Sequence, residues 1–172
     1  LPLHATLDVR LERQQDTGHN VIGYLPPTRV ASIEKPYVLL GAHYDHLGRG
    51  RGGDSLARSD EQGEIHNGAD DNASGVAAIL AAGSALALNE RDRGVILAFW
   101  SGEELGLLGS ADFVRKQLVP MNEVSAYINF DMVGRLRDNT LTVQAVGSSS
   151  IWTDLVEELN EPIGFELSFV SD

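Results

Sequence analysis

Two periods run through the hydrophobic and polar positions of this chain, and together they predict its elements. Ala5–Gln14 sets Leu7, Val9 and Leu11 against Asp8, Arg10 and Glu12, the alternation of a half-buried strand. Val21–Leu25 reads as a second short strand, closed by Pro26 and Pro27. Three apolar runs, Tyr37–Ala42, Val95–Trp100 and Ala126–Phe130, read as buried strands. Between the first two, Ala73–Leu88 carries Val76, Ile79, Leu80 and Leu86 at helical spacing, with Asn72 or Ser74 placed to cap it. Gly109–Leu118 and Ile151–Leu159 read as further helices, and Thr140–Val146 and Phe165–Val170 as further strands. Strands interleaved with helices predict an α/β layer architecture with a largely parallel sheet. One connection departs from that plan. Leu47–Gly68 is polar, aperiodic and holds six glycines, and connections of more than about 12–15 residues usually carry function or are disordered.

Composition narrows the chemistry. The 172 residues are enough for one domain with a core of its own. With 13 Lys and Arg against 25 Asp and Glu the net charge is −12, which disfavours nucleic acid or an anionic membrane surface and suits cations. The absence of cysteine excludes disulfides, thiolate zinc sites and cysteine nucleophiles. No apolar stretch approaches the ~20 residues of a membrane span.

What terminates each buried strand is the informative observation. Tyr37–Ala42 runs into His43-Tyr44-Asp45-His46, Val95–Trp100 into Ser101-Gly102-Glu103-Glu104, and Ala126–Phe130 into Asp131. The long connection ends in Gly68-Ala69-Asp70-Asp71-Asn72, just before the first helix. Open α/β sheets bind ligands outside the carboxyl ends of their strands, where these groups gather. A histidine and several carboxylates converging there need a counter-charge, which a divalent metal supplies. Imidazole with carboxylate and no thiolate suits zinc, manganese or cobalt. Asp45 follows His43 by two residues, shares its strand face, and is placed to orient a ligating imidazole.

Gly41-Ala42-His43-Tyr44-Asp45, Asn67-Gly68-Ala69-Asp70-Asp71-Asn72-Ala73-Ser74-Gly75, Ser101-Gly102-Glu103-Glu104-Leu105-Gly106 and Asn129-Phe130-Asp131-Met132 resemble successive motifs of the di-zinc aminopeptidases. That family also contains glutamate carboxypeptidases and glutaminyl cyclases. The resemblance runs from about residue 18 to residue 170. It implies a three-layer sandwich, a central mixed and largely parallel sheet flanked by helices. It further implies a metal-dependent exopeptidase, foremost an aminopeptidase hydrolysing N-terminal residues from peptides through a metal-bridging water. A carboxypeptidase, a glutaminyl cyclase-like enzyme or a catalytically silent scaffold are the alternatives. Residue by residue, His43 and Asp131 resemble ligands of one zinc, Glu104 a ligand of the other, Asp70 the carboxylate bridging both, and Glu103 the general base. A cis peptide after Asp70 is implied as well. Similar bacterial enzymes are mostly secreted or periplasmic. The partner expected is a peptide substrate, with neither nucleic acid nor membrane, and the oligomeric state is left open.

The chain departs from the family at one point. The family's fifth ligand is a histidine in a Ser/Thr-Asp-His setting, and no histidine follows Asp131 here. Residues 1–172 are therefore expected to be a single catalytic domain lacking its C-terminal portion. Such a fragment holds at most one zinc well, at His43, Asp70 and Asp131, where the complete domain holds two. It is expected to be weakly active or inactive by itself. His46 and His66 are assigned to the loop surface, and His4 and His19 to the exposed N-terminal region. Gly48-Arg49-Gly50-Arg51-Gly52-Gly53 matches a dinucleotide-binding pattern, but no helix follows to receive a pyrophosphate. A serine hydrolase is disfavoured, because no Gly-x-Ser-x-Gly elbow occurs.

Overall fold

Tyr37–His43 and Gly94–Trp100, each seven residues of mostly apolar character, form the two inner strands β2 and β3 of the computed structural model, which describes residues 7–10, 15–29, 32–50, 55 and 58–172. They pair in parallel, with Tyr37 opposite Gly94 and His43 opposite Trp100. β1 (Val21–Leu25) runs antiparallel along the outer side of β3, and β4 (Val124–Asn129) parallel along the outer side of β2. The sheet order is β1-β3-β2-β4. It is mixed and mostly parallel, as the interleaved pattern predicts.

Alternation along β2 and β3 sends successive side chains to opposite faces, and each face has its own helix. Leu40, Ala42 and Val95 pack with Ile79 of α1 (Gly75–Ala87) on one side. Leu39, Ile96, Ala98 and Trp100 pack with Phe113 of α2 (Leu108–Lys116) on the other. The Trp100 and Phe113 rings meet edge to face with centroids 5.2 Å apart. These two clusters make the helix–sheet–helix layering. Helix α1 begins two residues later than its apolar period predicts, because Ala69–Ser74 forms an irregular turn in which Asp71 and Asn72 leave helical dihedrals. Of the two candidate caps, Asn72 accepts a hydrogen bond from the Gly75 amide through Oδ1 at 3.0 Å, while the Ser74 side chain makes no capping bond. Helix α2 ends at Lys116, where Arg115 and Lys116 oppose the negative end of the helix dipole.

Three expectations are corrected. The N-terminal alternation yields no strand over residues 7–10, where Leu7 and Val9 are exposed; the remainder of Ala5–Gln14 falls outside the described residues. Alternation marks a strand only where a partner edge accepts its hydrogen bonds. β4 is not fully buried: among the described residues it pairs with β2 alone, and Tyr127 and Ile128 are exposed. β5 (Thr140–Val143) and β6 (Glu166–Phe169), each shorter than predicted, form a separate two-stranded parallel sheet rather than extending the first. α3 (Trp152–Asn160) lies between them in the chain.

Candidate metal centre

Strand register brings the chemistry to one edge. His43 ends β2 beside Trp100, and beyond the strands the Tyr44 amide donates to the Trp100 carbonyl at 2.9 Å and the Phe130 amide to the Gly41 carbonyl at 2.8 Å. The Ser101–Gly106 loop and Asp131 therefore leave the sheet on either side of His43. The turn before α1 arrives at the same edge, where Asn72 donates from Nδ2 to the Phe130 carbonyl at 2.9 Å.

His43 is the centre of the arrangement. Its side chain is 2% exposed, and its Nε2 is the one buried side-chain nitrogen or oxygen among the described residues without a hydrogen-bond partner. Three carboxylates surround that atom: Asp71 Oδ1 at 3.1 Å, Asp131 Oδ1 at 3.5 Å and Glu103 Oε2 at 3.8 Å. On its other side Nδ1 lies 3.1 Å from the Asp45 carbonyl, which makes Nδ1 the protonated nitrogen and leaves the Nε2 lone pair toward the carboxylates. Asp45 thus orients the ring through its backbone, and its carboxylate takes a second task. It accepts the Glu103 amide at Oδ1 (3.1 Å) and the Glu104 amide at Oδ2 (3.3 Å), which fixes the acidic pair to the end of β2.

The two glutamates then face different imidazoles. Glu104 Oε1 lies 2.7 Å from His46 Nδ1, and Asp71 Oδ2 is 3.9 Å from the same nitrogen. Asp71 accordingly turns one oxygen toward His43 and the other toward His46. Beside His46 and Glu104 a cleft of about 740 Å³ opens, lined by Ile22, Leu105, Leu108 and Phe113 and also by Asp16, Asp112 and Lys116.

The structure brings His43, Glu103, Glu104 and Asp131 together and leaves Asp70 out. Asp70 turns away to accept the Gly134 amide at 2.8 Å and Arg135 Nε at 2.5 Å, and its neighbour Asp71 stands in the cluster instead. Two neighbouring side chains of an irregular turn point apart, so one member of the pair faces in and the other out. The cis peptide likewise falls between Asp71 and Asn72, one bond later than expected. His46 is corrected too: it is only one-fifth exposed and faces Glu104 rather than the loop surface. His66 stays in the loop, its Nε2 2.9 Å from Ser55 Oγ. His4 and Arg51–Gly53 of the glycine-rich pattern lie outside the described residues.

Electrostatics follow the geometry. Burial by itself depresses the His43 pKa, but the Asp45 carbonyl and the charges of Asp131, Glu103 and Asp71 outweigh it and hold the imidazole above its ordinary value. Burial lifts Glu103 above the usual carboxylate range; His43 pulls it down, and Glu104, Asp131 and Asp45 add to the lift. Asp131 is raised by burial as well, opposed by His43 and reinforced by Asp71. Asp70 moves the other way, held low chiefly by its hydrogen bond from Arg135.

These residues fit a zinc ion. Tetrahedral ligands at about 2.0–2.1 Å from zinc stand about 3.3 Å from one another. Asp71 and Asp131 lie at 3.1 and 3.5 Å from the unpartnered Nε2. A second group of three donors, His46, Asp71 and Glu104, lies within 4.8 Å, as does the first. Asp71 is common to both.

Fold and site define an α/β protein with a histidine–carboxylate metal centre at the carboxyl edge of its sheet. The chain belongs to peptidase family M28, whose family model matches residues 20–170. It is 33% identical over 136 residues to an aminopeptidase of Pseudomonas aeruginosa, covering 78% of this chain and 21% of that protein. A probable lipoprotein aminopeptidase of Mycobacterium tuberculosis is 29% identical over 130 residues, covering 74% of this chain and 22% of the relative. Among solved structures, a zinc aminopeptidase from Bacillus subtilis superposes with a TM-score of 0.64 at 25% identity, over 88% of this chain and 33% of that one. The chain spans about a fifth of the length of the curated relatives it matches.

Proposed function

We propose that the chain carries the catalytic residues of a zinc-dependent aminopeptidase that releases N-terminal residues from peptides. The observation that carries this reading is the buried, unpartnered Nε2 of His43 facing three carboxylates. The names of the relatives support aminopeptidase over carboxypeptidase, and the acidic surplus suits a substrate's terminal ammonium. In this reading His43, Asp71 and Asp131 would hold one zinc, and Asp71, Glu104 and His46 would hold a second, where the sequence alone leads to an expectation of at most one. Zinc, when bound, lowers the pKa of water toward neutrality and polarises the scissile carbonyl.

Glu103 does the proton work. Its Oε2 takes the proton of the attacking water and returns it to the leaving amine. Burial serves that task, because a carboxylate lifted above its ordinary range is a better base near neutral pH and a better acid afterwards. Asp45 keeps Glu103 in reach by holding its amide, and it presents His43 by accepting Nδ1–H at its carbonyl. The leucine-lined part of the cleft beside Glu104 would take a substrate's apolar side chain. No helix among the described residues is long and apolar enough to cross a membrane, and the lipoprotein name of the mycobacterial relative supports a secreted or periplasmic location. In the full-length protein Glu103→Gln is expected to keep its zinc and lose about 10²–10⁴-fold in kcat on a leucyl reporter peptide. Unchanged kcat would refute the role.

A further inference from the structure

Asp71 and Asp131 reach His43 from segments sixty residues apart in sequence, and neither segment is a regular helix or strand at that point. Something must set their separation. Asp71 leaves helical dihedrals (φ −108°, ψ 94°), and Asp131 is followed by Met132 in the left-handed region at φ 52°, a conformation that side-chain-bearing residues adopt reluctantly. The loop after Asp131 needs a tie to hold it in that conformation.

The ties lie on either side of each carboxylate. On the inner side, Asn72 donates to the Phe130 carbonyl, joining the residue after Asp71 to the residue before Asp131. Gly75 allows this approach, since a Cβ there would stand 2.3 Å from the Phe130 oxygen. On the outer side, Asp70 accepts the Gly134 amide at 2.8 Å and Arg135 Nε at 2.5 Å, joining the residue before Asp71 to the loop after Asp131. Ser74 completes the lacing: its hydroxyl donates to the Asp70 carbonyl at 2.5 Å and accepts the Val133 amide at 3.0 Å. Gly134 permits the contact, because a Cβ would come within 2.9 Å of Asp70 Oδ1. The Asp70–Arg135 pair is the only member of this lacing that carries charge on both partners, and charge-assisted bonds are the stronger kind.

We infer that Asp70 and Arg135 are positioning residues, an ion-paired clasp that sets the spacing of Asp71 and Asp131 around His43 without touching the metal. The inference rests on the zinc reading of that cluster. It gives Asp70 a role outside the ligand set and explains why an acidic pair, rather than one aspartate, stands before α1. Arg135 is drawn into the site's support although no motif marks it.

The test measures zinc affinity by chelator competition, and the visible spectrum of the cobalt-substituted protein, for full-length wild type, His43→Ala, Asp70→Asn, Arg135→Gln and the Asp70→Asn/Arg135→Gln double variant. Each single change at the clasp is expected to weaken zinc binding and to alter the cobalt bands, because the two ligands lose the tie that sets their spacing. The double variant is expected to be no worse than the weaker single one, because both remove the same bond. Far-ultraviolet circular dichroism identifies folded variants, and Arg135→Gln alone decides the matter if Asp70→Asn does not fold. Folded variants with wild-type zinc affinity and cobalt spectrum overturn the clasp while the metal reading stands, provided His43→Ala loses zinc. If wild type and His43→Ala take up zinc alike, the metal reading fails and the clasp fails with it.

Discussion

Asp70 and Asp71 are adjacent, share a charge and stand in the same motif, yet one accepts Arg135 and the other faces two histidines. Composition and spacing mark the pair without ranking its members. The direction of each side chain depends on dihedrals at Asp71 and Asn72 that depart from both helix and strand, so neither period applies. His46 escaped the motif reading for a related reason: it lies beyond the end of β2, where strand alternation no longer tells which face a residue takes. His43 was legible because it directly ends the apolar run of β2, at the carboxyl edge where ligands gather, and Asp131 because a carboxylate directly after an apolar strand invites a partner. A prediction follows at this scale. Asp71→Asn is expected to lower zinc uptake at both positions, whereas His46→Ala lowers it only at the position shared with Glu104, read by zinc analysis after dialysis. Full occupancy in Asp71→Asn would return the bridging role to Asp70.

Elements were easier to read than side-chain directions. β1 matches its predicted bounds, and β2 and β3 match to within a residue, because long apolar runs between turn residues have few other uses. Pairing was less legible. Nothing in Thr140–Val143 or Glu166–Phe169 says that these strands choose each other over the main sheet, since alternation specifies a face and not a neighbour. The core makes a quantitative statement here. Phe113 is 2% exposed and meets Trp100 edge to face between α2 and the sheet. Phe113→Ala is therefore expected to cost about 3–5 kcal/mol in a urea unfolding titration, through lost burial and the cavity left behind. A change below about 1 kcal/mol would mean that α2 is not held to the sheet by this contact.

At the scale of the whole molecule the acidic surplus acquires a location. Asp45, Asp71, Glu103, Glu104 and Asp131 converge on one edge of the sheet, part of a net charge of −12. Concentrated like charge destabilises the compact state, and a divalent ion there offsets it. Zinc at about 100 times its dissociation constant is expected to add about 2.7 kcal/mol of stability per site, visible as a raised Tm. Family membership supports the proposed metal-dependent peptide hydrolysis, and the cluster supplies the residues that would hold the metal. The most direct measurement is hydrolysis of a leucyl reporter by the full-length protein before chelation, after it, and after zinc is restored. Activity that disappears with the chelator and returns with zinc is the predicted result; hydrolysis indifferent to chelation, or none by the zinc-loaded protein, would contradict it.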